Sequence, residues 1–433
     1  KRDIQRLREF IKTYVVHGDR GEVICRIENG RIRPSKMLAE SMAGLLEGNP
    51  EFVMIDDQKV VFETALEMAR TSTEEGKQVL LVHGGPGTGK SVVAVNLLVE
   101  LTKREDLALY VTKNAAPRAV FESKLTGVMT KSRFSNLFKG SGAFVTAERH
   151  IYDVLVVDEA HRLNEHSGLY QNLGENQVKE LIHASRTTVF FLDEDQRVTL
   201  RDIGTADEIR HWARQAGARV EEMTLESQFR CNGSDGYLAW LDHTLRIRPT
   251  AHPDLDGVDY DVRVCDTPNE LRDLIEARNR EDGRSRLVAG YCWEWESKKD
   301  PAACDIVLAD HDFRMRWNLS EDGSLWILKP DSISEIGCIH TCQGLELDHV
   351  GVILGSDFLV RDGVVQTHPE ARARYDSSIR GWKKAMKEDP ERTRRETRAI
   401  ILNTYRTLMS RGMKGCYLYS VDEETNEYLR GCL

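Results

Sequence analysis

The stretch that most constrains this chain is Gly84-Gly85-Pro86-Gly87-Thr88-Gly89-Lys90-Ser91. It follows an apolar run, Val79–Val82, that reads as a buried strand. It precedes Val92–Leu98, which reads as the start of a helix. A strand, a glycine-rich loop and a helix in that order are the context that a phosphate-binding loop needs. The glycines let the backbone wrap a phosphate and aim its N–H groups inward. The helix N-terminus adds a partial positive charge. On this reading Gly85, Pro86, Gly87, Thr88 and Gly89 form the cradle. Lys90 reaches the β and γ phosphates, and Ser91 holds Mg²⁺. A glycine turn that binds nothing would have to match both the spacing and the flanks by chance. The loop therefore implies a nucleotide, and the rest of the chain must say what the nucleotide is for.

At 433 residues the chain has length for two or three domains. It is 40% apolar and 30% charged, as soluble globular proteins are. No apolar run approaches transmembrane length and no signal peptide is visible, so no membrane partner is expected. The chain begins at Lys1 rather than Met, which suggests a fragment or processed product with upstream domains missing. The nine cysteines are scattered in no paired framework, which points to free thiols in a reducing, cytoplasmic compartment. Cys338-Ile339-His340-Thr341-Cys342 gathers zinc-type ligands, but no second cluster matches it and the stretch alternates like a strand.

The net charge of −10 argues against attraction of nucleic acid to the whole surface, but not against a local basic groove. From Val111 to Ala147 the chain carries Lys113, Arg118, Lys124, Lys131, Arg133 and Lys139 against the acid Glu122. Phe121, Phe134 and Phe138 are interleaved with them. That composition suits a surface that touches phosphates and stacks bases, and it also suits a solvated face with core phenylalanines.

Taken in order, residues 1–50 read as an accessory, largely helical piece, with one helix expected over Ser35–Leu46. Gln58 opens a helix running to about Ala69; its amide can both donate to and accept from adenine. From Val79 the pattern of strand, loop and helix repeats. Strands are expected at Leu107–Thr112, Val154–Val157 and Thr188–Leu192, each followed by a polar cluster. Open parallel sheets bind ligands along that edge. After Val157 come Asp158-Glu159. Asp158 suits a Mg²⁺ ligand and Glu159 a base that polarises the attacking water. A second domain is expected from about residue 222. It should have strands at Asp259–Val264, Arg286–Gly290, Leu325–Lys329, Val350–Leu354 and Gly415–Tyr419, and helices over Pro268–Arg278 and Glu396–Ser410. A charged helical insertion is expected near 360–398. The divisions are 1–50, 51–221 and 222–433.

This set of motifs resembles a superfamily 1 helicase motor over roughly residues 50–420. "YVTKNAAPRAVFESKL", "VDEAHRLNEHSG" and "CIHTCQGLELDHVGVILG" look like the Schlafen group 3 type of helicase domain. The resemblance implies an α/β fold of two RecA-like parallel-sheet P-loop NTPase domains, with a small N-terminal helical extension. It implies ATP and Mg²⁺ as cofactors and single-stranded DNA or RNA as partner. It also points to an upstream nuclease-like segment, which family members often carry. Gln58 stands where the adenine-reading glutamine does. Gly84–Ser91 and Asp158–His161 look like the two Walker motifs, and Gln196 of Asp193-x-x-Gln196 like the γ-phosphate sensor. Arg230 and Arg411 look like arginines that reach across a cleft to the γ phosphate. His340–Glu346 is similar to the fifth motif, which puts Gly344 and Glu346 at the nucleotide, with Glu346 at the ribose. Thr112, Lys113, Arg118 and Thr341 are the implied strand contacts. One departure stands out: Arg197–Arg201 lacks the aromatic that often follows the third motif. Base stacking then comes from elsewhere, from Phe121, Phe134 or Phe138, or is absent. The expected activity is nucleic-acid-dependent ATP hydrolysis with translocation. The alternative is an ATP-driven switch that gates an attached nuclease or partner.

Overall fold

The apolar run before the glycine loop is the strand β1, Gln78–Gly84, and it lies inside a parallel sheet, one strand in from an edge. The structure, a computed structural model, describes residue 54, residues 56–114, residue 118, and residues 135–168, 172–226, 235–250, 254–300, 302–318, 326, 329–342 and 347–433. The expected N-terminal extension, including the helix over Ser35–Leu46, lies outside the described residues, as does most of Leu325–Lys329. Both sheets described here belong to one unit of the chain, Pro34–Leu433.

The first sheet also contains β2 Ala108–Thr112, β3 Phe138–Lys139, β4 Tyr152–Asp158, β5 Ser185–Leu192 and β6 Arg219–Leu225. Its order is β3-β2-β4-β5-β1-β6, with parallel pairing throughout. Val79, Leu80, Leu81 and Val82 are all fully buried, because helices cover both faces of such a sheet. On one face the helices Asp56–Thr71 and Lys90–Lys103 pack Val61, Ala65, Val93, Leu97 and Leu101 against the strands. On the other, the helices Gln177–Ala184 and Ala206–Gln215 bury Val178, Leu181, Ile209 and Ala213. Each buried Val, Leu or Ile among them stabilises the fold by roughly 1.5–3 kcal/mol.

The strand β6 was not expected. Its residues, Arg219-Val220-Glu221-Glu222-Met223-Thr224-Leu225, are too polar to read as a core strand. It is an edge strand paired with β1 from Gln78↔Arg219 to Gly84↔Leu225, and charged side chains are what an exposed edge carries. It straddles the expected division at 221/222.

The second sheet runs β7-β15-β12-β8-β11-β10-β9. The strands are β7 Asp261–Val264, β8 Arg286–Ala289, β9 Ile306–Leu308, β10 Phe313–Trp317, β11 Glu335–Gly337, β12 Leu347–Leu354 and β15 Gly412–Ser420. All pairs are parallel except β9–β10 at one edge. The helices Asp235–Thr244, Pro268–Asp282 and Glu423–Gly431 complete this half. Two parallel α/β sheets, one opening on the phosphate loop, make this a RecA-like architecture.

Three expectations are corrected here. The segment near 360–398 begins with a hairpin, β13 Phe358–Arg361 and β14 Val364–Thr367, rather than a helix. Asp362 and Gly363 turn it with φ of 52° and 71°, the left-handed pair that a tight hairpin needs. The segment's last helix runs over Pro390–Met409, capped by the Asp389 carboxylate and started by a proline, and its second half is core. Cys338–Cys342 is not a strand. After β11 the chain turns into the short helix Ile339–Cys342, because the Thr341 hydroxyl accepts from Cys338 N and the Cys338 carbonyl accepts from Thr341 N and Cys342 N.

Candidate functional site

The phosphate loop is a turn between β1 and the helix Lys90–Lys103, with Gly87 at φ 81° and Gly89 at φ 85°. Side chains are strained at such angles, which explains glycine at both positions. A Cβ on Gly89 would also collide with the Gln58 amide, 2.2 Å away. Gln58 therefore packs directly on the loop, and its Nε2 donates to the Thr88 carbonyl at 3.1 Å. The Thr88 hydroxyl donates to the Gly85 carbonyl at 3.0 Å. Lys90 Nζ donates to the carbonyls of Gly84 and Gly85 at 2.6 and 2.7 Å, so its ammonium curls back over the cradle.

Asp158 ends β4, one strand removed from β1, and meets the loop from the side. Ser91 Oγ donates to Asp158 Oδ2 at 2.6 Å. Tyr110 OH donates to the same oxygen at 2.5 Å, and Glu159 N donates to Oδ1 at 2.9 Å. Two hard oxygen groups, Ser91 Oγ and Asp158, thus converge in a manner that suits a hard divalent cation. Among the described residues no cluster of three or more His, Cys, Asp or Glu could hold a metal.

Glu159 follows at φ 53°, ψ 44°, a left-handed conformation that costs a non-glycine residue on the order of 1–3 kcal/mol. The turn is held from behind by Gly204, where a Cβ would lie 1.7 Å from the Ala160 carbonyl oxygen. Glu159 is 9% exposed and its Oε2 has no hydrogen-bond partner among the described residues. Burial, and then the charge of Asp158, raise its pKa; Arg162, Arg411 and Lys90 pull it back down. A buried carboxylate with raised basicity and a free oxygen can take a proton from water.

Behind it lies His161, buried and held neutral chiefly by desolvation. Its Nδ1 accepts from Asp193 N at 3.2 Å, which joins the second polar cluster to the third. Asp193 Oδ2 accepts from Gln196 Nε2 at 2.8 Å. Gln196 Oε1 accepts from Arg411 Nη2 at 3.2 Å. Arg411, 1% exposed, lies between the long helix Pro390–Met409 and β15, so this bond connects the two sheets' elements.

More bonds cross at the same place. Asn403 Nδ2 donates to the Arg197 carbonyl at 3.0 Å, and Leu200 N to the Ser378 carbonyl at 2.7 Å. Arg248 pairs with Asp195 and, through Nε at 3.0 Å, with Asp242, which also binds Arg406 Nε at 2.5 Å.

Residues 77–422 match the Schlafen group 3, DNA/RNA helicase domain family, which is most of the chain. The chain belongs to that family. This helicase domain is also similar to the uncharacterized protein YPL245W of Saccharomyces cerevisiae, with 24% identity over 416 residues, 86% of this chain and 89% of that one. Among solved structures it is similar to the Pif1 helicase from Candida albicans. The TM-score is 0.36, with 11% identity, over 88% of this chain and 99% of that one. AMPPCP-bound DnaA from Aquifex aeolicus gives a TM-score of 0.24 and 15% identity over 47% of this chain. The helicase domain spans about half of that one's length, 54%.

The sequence-derived residues Gln58, Gly85–Ser91, Asp158, Glu159, Gln196 and Arg411 thus fall in one connected cluster. Arg230, Gly344 and Glu346 lie outside the described residues, as do Phe121 and Phe134. Phe138 cannot stack bases: it is 4% exposed, its ring centroid 5.3 Å from that of Tyr110, because β3 pairs it into the sheet. Thr112 is 2% exposed and faces Asp158 in register, so it offers no open face to a strand. Lys113 is half-buried, and desolvation, with Arg162 and Arg201 nearby, brings its pKa down to about 8 against the pull of Asp202. Arg118 is half-buried beside Gly140. Thr341 stands at the carboxyl end of β11, its hydroxyl donating to the Cys338 carbonyl at 2.9 Å. The sequence reading missed Tyr110, His161 and Asp202. His161 was visible inside the Asp158–His161 motif, whereas Tyr110 reaches Asp158 through strand register alone.

Proposed function

We propose that this helicase domain is a superfamily 1 motor that hydrolyses ATP when it holds a single strand of DNA or RNA. The observation that carries this reading is the bond from Arg411 to Gln196. An arginine from one sheet, set against the γ-phosphate sensor of the other, lets domain closure depend on the nucleotide. Cycles of closing and opening are what move a strand.

In this reading Gln58 recognises adenine, Gly85–Gly89 and Lys90 bind the phosphates, and Glu159 accepts the proton of the attacking water. Arg411 stabilises charge that develops on the γ phosphate, and Arg230 joins it from the second domain. Gly344 and Glu346 complete the nucleotide site. Ser91 and Asp158 would hold Mg²⁺, which when bound neutralises charge on the β and γ oxygens. Lys113, Arg118 and Thr341 contact the strand. The proposed division is an accessory segment to residue 50, an ATP-binding domain to 221 and a second RecA-like domain to 433. No helix among the described residues is long and apolar enough to cross a membrane. A reducing, cytoplasmic setting suits thiols such as Cys338 and Cys342, which are buried and free.

The test is the ATPase rate with and without single-stranded DNA, single-stranded RNA and duplex at fixed salt, since such binding is salt-dependent. Stimulation by single strands supports the motor. A rate that no nucleic acid changes overturns it and favours a switch that gates a nuclease or other partner.

A further inference from the structure

At the carboxyl edge of the first sheet Phe138 is core, and the second sheet carries a cluster of aromatics at its own carboxyl edge. The chain leaving β8 at its carboxyl end, Tyr291-Cys292-Trp293-Glu294-Trp295, carries an aromatic at every other position. β8 pairs in parallel with β11, so this loop and the helix bearing His340 and Thr341 rise from the same edge of the sheet. Tyr291 and Trp317 are buried beneath it, with ring centroids 5.4 Å apart. Trp293 and Trp295 pack on Trp317 at 6.4 and 6.2 Å and stay half-buried, so part of each reaches solvent. His340 meets the edge of Tyr291 at 6.5 Å.

A second segment brings an exposed ring to this place. Ala373 N donates to the Tyr291 carbonyl at 3.0 Å, and Arg374 N to Glu294 Oε1 at 2.5 Å. One residue beyond Tyr375, Asp376 Oδ1 lies 3.9 Å from His340 Nε2. Tyr375 is thus fixed between two anchored neighbours, yet it is 74% exposed. The Arg374 guanidinium carbon stands 5.8 Å from its ring centroid. An isolated exposed tyrosine needs no explanation. This one stands on a braced backbone, its neighbours tied to the loop that carries Trp293 and Trp295, at the sheet edge where ligands of parallel sheets bind.

We propose that Tyr375 is a base-stacking platform for the single strand, at the sheet edge that also bears His340 and Thr341. The inference rests on the motor reading above. Every base offers a π face, so such a platform is sequence-tolerant. The local charges nearly cancel, with Glu294 and Glu296 against Lys298 and Arg374. The platform therefore binds bases rather than phosphates, and its contribution is insensitive to salt.

The experiment measures binding of fluorescein-labelled oligothymidylate and oligouridylate at several salt concentrations. It compares the wild-type chain with Tyr375→Ala and Tyr375→Phe. Stacking on an aromatic predicts binding weakened about tenfold in the alanine variant. It also predicts an unchanged slope of log affinity against log salt, recovery in the phenylalanine variant, and unchanged ATPase without nucleic acid. Equal affinity for wild type and Tyr375→Ala overturns the platform and leaves the motor reading standing. So does an alanine variant that phenylalanine does not rescue. A wild-type chain that binds neither oligonucleotide overturns both.

Discussion

Replacing Arg411 with alanine is the most exacting perturbation of this site. The guanidinium is buried, donates from Nη2 to Gln196 at 3.2 Å and from Nε to the Thr407 carbonyl at 3.3 Å, and lowers the pKa of Glu159. If it acts on the γ phosphate, its loss slows turnover by about 10³–10⁵-fold, as removal of an arginine finger does. That is roughly 4–7 kcal/mol of transition-state stabilisation. A second effect has a definite sign. Glu159 serves as base only when ionised, so turnover falls as pH drops through its pKa. Arg411 holds that pKa down, so in Arg411→Ala the acid limb of the residual rate moves to higher pH. The assay is steady-state ATPase across pH with saturating single strand, on protein shown to be folded by its melting curve and to bind nucleotide. The Gln196→Ala variant and the double variant complete a cycle. Because the two side chains touch, their effects should fall well short of additive. Turnover within tenfold of wild type in folded Arg411→Ala, or an acid limb that stays in place, would refute the assignment.

Three further outcomes are expected. Glu159→Gln abolishes turnover while its melting temperature at mildly alkaline pH equals or exceeds that of wild type. The folded carboxyl has a raised pKa, so its ionised form costs stability above that pKa, and this cost disappears as pH falls and in the neutral amide. Gly204→Ala forces a Cβ against the Ala160 carbonyl, costs about 1–3 kcal/mol or more and lowers kcat by moving Glu159, read by thermal melts and ATPase together. Arg406→Ala leaves Asp242 buried with Arg248 Nε still 3.0 Å away, so urea unfolding should show a loss near the low end for a broken buried pair, roughly 3 kcal/mol.

What the sequence disclosed followed how local each feature is. The glycine loop and Asp158-Glu159 are contiguous, and strand, turn and helix signals surround them, so residue order alone sets their chemistry. Gln196 and Arg411 lie far apart in the chain. The family resemblance nominated both, and no spacing rule would have paired them. Tyr110 was invisible as a partner of Asp158 because it depends on the register of β2 against β4. Phe138 misled because an aromatic among lysines reads equally well as a stacking surface or as core. The short strand β3 settles it as core. The hairpin at 358–367 carried a legible signal, Asp362-Gly363 between two short apolar runs, but the charge-rich stretch after it dominated the reading. β6 was missed because an edge strand does not need the apolar pattern that identifies a central one.

The segment from Arg197 to Asp202 is gripped from two directions. The Asp202 carboxylate gathers the N–H groups of Val198 and Thr199, while Asn403 and Ser378 bond to the carbonyl of Arg197 and the N–H of Leu200. Such a segment cannot act as a pivot, because a pivot must bend and this one is braced at both ends. Its bracing is that of a strut rather than of a hinge. In the proposed motor, a turn of the lobe carrying Asn403 and Ser378 would reach Gln196 as a shift of the whole segment rather than as a bend within it.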